Sequence, residues 1–137
     1  MSRPLLFVVL LTWAVAARGE WKVIAPTSGP VPGMSYDAAR TRYEPPYLTA
    51  WTRVSLSAPA TLSNGVQYLS ALQKVAVDCT AKTWSITYSE FFTARDASGA
   101  AVFFYSVPRE EWALRPARAG SNGARLLDVL CAIPRPW

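Results

Sequence analysis

Apolar and polar residues alternate with a period of two over much of this chain, the mark of half-buried β-strands. Over residues 47–56, Leu48, Ala50, Val54 and Leu56 fall on one side and Tyr47, Trp51 and Arg53 on the other. Over 69–79, Gln73, Val75, Val77 and Cys79 oppose Lys74 and Asp78, so Cys79 shares the apolar side of its strand. Over 83–93, Trp84, Ile86, Tyr88 and Phe92 alternate with Ser85, Thr87 and Ser89. Glu90 interrupts that apolar side, as it would at a sheet end or opposite an arginine. Arg95-Asp96-Ala97-Ser98-Gly99 reads as a hairpin turn, and residues 101–107 return as a further strand. Strands joined by short turns make an antiparallel meander.

Ahead of this meander, residues 20–25 read as a first strand ended by Pro26-Thr27-Ser28-Gly29-Pro30, with a short piece at 35–37. Residues 38–46 (with Pro45-Pro46), 57–65 and 109–120 read as irregular connections. The expectation is a sheet of about five to six strands.

The period changes near the C-terminus. Ser121 stands where an N-cap would, and Leu126, Leu127, Leu130 and Cys131 form one stripe of a helix over 124–131, stopped by Pro134 and Pro136. The sheet face and the helix stripe each need covering, and each carries one cysteine. The economical arrangement is an α+β domain in which the helix packs on one face of the antiparallel sheet and a Cys79–Cys131 disulfide ties the two.

The first residues read differently. Arg3 precedes an uncharged run from Pro4 to Ala17, ending in small residues that satisfy a small-x-small cleavage rule. That run of 14 residues is shorter than the ~20 a membrane-crossing helix needs. Residues 1–17 are therefore expected to be a cleaved signal peptide and residues 18–137 one exported domain, with no stable membrane span after cleavage. Export places the only two cysteines in an oxidising compartment, which agrees with the bridge.

Candidate chemistry is sparse. The chain has no histidine, which removes Ser-His-Asp and Cys-His catalysis and, with only two cysteines, leaves no zinc set. The nine carboxylates are scattered, and the adjacent Glu110-Glu111 pair reads as a solvated corner. No cofactor motif is visible, and the expectation is no enzyme and no cofactor. The formal charge of +5 comes without any run of adjacent basic residues, so nucleic acid is not an expected partner. Five tryptophans remain after the signal: Trp21, Trp51, Trp84, Trp112 and Trp137. Trp51 shares its strand side with Tyr47 and Arg53, on the side expected to lie away from the helix. These three are the candidate binding surface.

The ordered set of Trp21, Tyr36-Asp37, Trp51, Asp78-Cys79, the Asp96-Ala97-Ser98-Gly99 turn, Trp112 ahead of Pro116, Ser121 and Cys131 resembles the surface-adhesin protein E-like family of small exported proteobacterial proteins. The resemblance covers residues 20–132. It implies the same sheet and disulfide-held helix, and a surface role in binding host extracellular-matrix or plasma proteins, with a homodimer as one state. Two features depart from it. No lipid-attachment cysteine follows the signal, and Ala117-Arg118-Ala119 lengthens the link between Pro116 and Ser121. The alternative is a periplasmic structural or accessory protein without a host ligand.

Overall fold

The computed structural model describes residues 19–134. The expected signal peptide, residues 1–17, and Trp137 lie outside the described residues. Eight strands form one antiparallel sheet: β1 (Trp21–Ala25), β2 (Gly33–Asp37), β3 (Arg42–Glu44), β4 (Tyr47–Thr61), β5 (Gln67–Asp78), β6 (Thr83–Phe92), β7 (Ala101–Ser106) and β8 (Arg115–Pro116). The order across the sheet is β1-β2-β4-β5-β6-β7, with β3 paired to β4 and β8 to β6. Helix α1 (Asn122–Cys131) follows.

The strand count exceeds the expected five to six because segments weak in strand formers pair all the same. β3 forms because Pro45-Pro46 turns the chain back, setting Glu44 opposite Tyr47 and Tyr43 opposite Leu48. β4 runs on to Thr61 through Ser57-Ala58-Pro59: a register shift between Ser55 and Ala60 lets pairing resume at Ala60↔Tyr68. β8 is a two-residue addition opposite Thr83 and Trp84.

One irregularity redirects side chains. Lys74 pairs with Tyr88 but Val75 pairs with Ile86, so Thr87 is an extra residue in β6. A bulge shifts the alternation by one. Trp84 and Ile86 pack on the core under the helix, whereas beyond the bulge Phe91 is the buried residue and Tyr88 turns to the opposite face. The expected grouping of Tyr88 and Phe92 with Trp84 and Ile86 fails for this reason. Glu90 meets the Tyr88 hydroxyl at 3.2 Å, not an arginine.

The core lies between the sheet and α1. Met34, Tyr36, Leu48, Ala50, Val75 and Val77 from the sheet meet Leu126, Leu127 and Leu130 of the helix. Leu126 and Leu130 are almost wholly buried, each worth about 1.5–3 kcal/mol of burial. The Ser121 hydroxyl accepts the Ala124 amide at 3.2 Å, the cap that starts the helix. The Cys79–Cys131 disulfide, with Cα atoms 5.5 Å apart, fastens the last helical turn to the end of β5.

Candidate functional site

Because side chains alternate along β4 from Tyr47 to Ser55, one side of that stretch feeds the core under α1 and the other faces away. Tyr47, Trp51 and Arg53 all stand on the side facing away, and each is half-buried. What half-buries them is a lattice of stacked cations and rings. The Arg53 guanidinium lies 4.4 Å from the centre of the Trp21 indole. The Arg40 guanidinium lies 5.8 Å from that indole and 5.5 Å from the Trp51 ring. Trp51 in turn meets Tyr88 edge-on, centroids 5.6 Å apart. Arg53, Trp21, Arg40 and Trp51 thus alternate cation and π surface across the face, and Tyr88 extends it with a second ring. Each such contact is worth about 0.5–2 kcal/mol, depending on desolvation.

Tyr47 belongs to a second cluster at the other end of the face. Its ring is 5.8 Å from Trp112, and the Arg109 guanidinium sits 5.1 Å from Tyr47 and 4.6 Å from Trp112. Arg109 is aimed by a 2.9 Å hydrogen bond to the Pro45 carbonyl, and the Trp112 indole N–H donates to the Val107 carbonyl at 2.9 Å. The three candidate residues therefore share a face but not a single cluster.

Asp37 holds the lattice in place. Its side chain is fully buried, accepts the backbone amides of Glu20 and Ala39 at 3.0 Å each, and receives the Arg40 guanidinium. Burial pushes its carboxyl up, but the Arg40 hydrogen bond, the two amides and the Arg40 charge prevail and hold it below the usual carboxylate value. Tyr88 is shifted the other way: burial, then the hydrogen bond to Glu90 and its negative charge, raise the phenol. Lys74, between the Trp51 and Tyr88 positions on the sheet, pairs with Glu44 at 3.6 Å.

The candidate surface of Tyr47, Trp51 and Arg53 did not include Trp21, Arg40, Asp37, Arg109 or Trp112. Only Asp37 and Arg40 carry a local signal, an acid ending a strand with a basic residue three positions on. The others reach the face through strand order and through a short 3-10 turn at Arg109–Glu111. Trp84, by contrast, lies on the helix side and serves the core. Among the described residues no group of three or more Cys, Asp or Glu side chains is placed to hold a metal, and no helix is long and apolar enough to cross a membrane. What remains is a fixed cationic and aromatic face suited to contact.

The family model of surface-adhesin protein E matches residues 21–132, most of the chain, and the chain belongs to that family. It is an adhesin-like surface protein. No curated protein and no solved structure matches it.

Proposed function

We propose that this member of the surface-adhesin protein E family is exported by way of a cleaved signal at residues 1–17 and acts, without catalysis, as a binding module for a host matrix or plasma protein, through the face carrying Tyr47, Trp51 and Arg53. One observation supports this above the rest: Arg53 and Arg109 stack on aromatic rings, and neither has a carboxylate partner among the described residues. Arginines and large rings are the residues that most often anchor protein contacts. Here they are already ordered, so little side-chain freedom is lost when a partner docks.

The test is capture of purified plasma and extracellular-matrix proteins by the immobilised mature chain. Tyr47→Ala and Arg109→Ala should each weaken a positive capture tenfold or more, whereas Phe104→Lys on the far edge should not. Capture that ignores both substitutions would remove this face from the function. Cell fractionation addresses export: a chain retained wholly in the periplasm would favour an accessory role.

A further inference from the structure

A second feature of the same sheet face points to a small ligand. The β6–β7 turn hydrogen-bonds back to the sheet. The Ser55 hydroxyl donates to the Asp96 carboxylate and accepts the Asp96 amide, both at 3.1 Å, and the Ala97 amide donates to the Ser70 hydroxyl at 2.9 Å. Asp96 and Ala97 adopt positive φ (57° and 54°) to make this return. On the other flank, residues 26–32 close over the sheet. Gly33 is needed there, because a Cβ would come within 2.7 Å of the Thr27 backbone nitrogen. The Thr27 hydroxyl reaches the Ser55 carbonyl at 3.4 Å.

Between these flanks lies a half-open cleft of about 180 Å³. Its polar lining is Arg53, Asp96, Ser35, Ser55 and Thr27, alongside apolar residues that include Val23 and Pro26. Two charges of opposite sign line it, the half-buried Arg53 and the exposed Asp96. Arg53 donates no hydrogen bond and joins no ion pair among the described residues, and its Nε is buried without a partner. A buried guanidinium N–H is ordinarily matched by a carboxylate, a phosphate or a carbonyl. Asp96 meets only Ser55 and has no cation partner. The two opposite charges line one cleft without pairing with each other. Arg53 and Ser55 are two residues apart on the same side of β4, which sets their Cα atoms roughly 7 Å apart along the strand. A single ion would satisfy one end only.

We propose that this cleft binds a small zwitterion of the amino-acid kind, its carboxylate on the Arg53 guanidinium and its ammonium on the Asp96 carboxylate. The half-open cleft of about 180 Å³ has room for a ligand the size of alanine. The Ser35 and Ser55 positions supply hydroxyls along its length. This inference goes beyond the protein-binding reading and does not depend on it.

The experiment titrates the folded mature chain with alanine, propionate, ethylamine and inorganic phosphate, following the Trp21 indole and the Ser35 and Asp96 amides by NMR. Saturable shifts are expected with alanine at millimolar concentration, at least tenfold tighter than with propionate or ethylamine. Arg53→Gln and Asp96→Asn should each weaken alanine tenfold or more. Asn tolerates positive φ and keeps an oxygen for Ser55, so Asp96→Asn tests the charge with the fold intact. Absence of alanine shifts up to tens of millimolar would overturn the proposal. So would propionate or phosphate binding as tightly as alanine with no effect of Asp96→Asn. Because Asp96 stands apart from the Tyr47 and Arg109 cluster, Asp96→Asn should leave protein capture unchanged, which separates this test from that of the preceding function.

Discussion

Gly123, in the first turn of the helix, packs against the Trp84 indole: a Cβ on Gly123 would come within 2.7 Å of Trp84 Cε2 and closer still to Cζ2. The helix approaches the sheet this closely because that residue has no side chain. The Trp84 backbone is fixed by pairing in β6 and its ring packs against the core cluster, so a Cβ on Gly123 forces the ring or the helix to shift.

This contact sets the sign of the first prediction. In a free helix Gly→Ala is favourable by about 0.8–1 kcal/mol. Here overpacking against that ring should outweigh that gain, with a net loss of about 1–3 kcal/mol for Gly123→Ala. Urea unfolding with near-UV dichroism of the tryptophans checks it. A variant as stable as the parent would mean the helix can slide off Trp84 freely.

The disulfide acts on the same helix. It joins residues separated by 52 positions, for which the chain-entropy model gives about 4 kcal/mol. Cys131→Ser should release the C-terminal segment before the sheet unfolds. Limited trypsin digestion should then cut first at Arg118 or Arg125 and leave a fragment retaining β1 to β7. Free thiols in the exported protein, or unchanged protease resistance of the variant, would contradict this.

Asp37 predicts a pH dependence. Its carboxyl is held below the ordinary value in the fold, so it binds a proton less readily folded than unfolded. The stability it contributes is present above the unfolded carboxylate pKa of about 3.9 and is lost as pH falls through the lower folded value. Asp37→Asn removes the charged acceptor of Arg40 and should cost about 1.5–3 kcal/mol at neutral pH. The gap between parent and variant should close in strong acid. Denaturation curves at several pH values measure it, and a gap independent of pH would show that Asp37 stays protonated.

The β7 edge carries the fourth prediction. β7 pairs only with β6 and leaves Phe103, Phe104 and Tyr105 exposed, Phe104 at 66 %. An open apolar edge invites pairing with another chain. Phe104 sits opposite Glu90, so Phe104→Lys adds a charge and a cross-strand partner together. Stability should change by less than ~0.5 kcal/mol while self-association falls, as sedimentation velocity would show. Equal association of parent and variant would mean the edge is not the contact.

The sequence alone determined what depends on near neighbours. The period of two put Tyr47, Trp51 and Arg53 on one side of a strand and Cys79 with the valines on the other, and Ser121 with the leucine stripe marked the helix and the direction of Cys131. Side-chain parity is a local property of an extended chain, so a pattern read over a few residues suffices. The tertiary structure decided what depends on pairing between distant segments. The extra Thr87 that swings Tyr88 onto the face of Trp51 is visible only against its partner strand β5. Arg40, Trp21 and Arg53 come together because β1 and β2 are added beside β4, and Asp96 reaches Ser55 because its turn is hydrogen-bonded back to the sheet. These contacts join residues 19 to 41 positions apart, and no local period encodes which of two allowed faces a distant segment will cover.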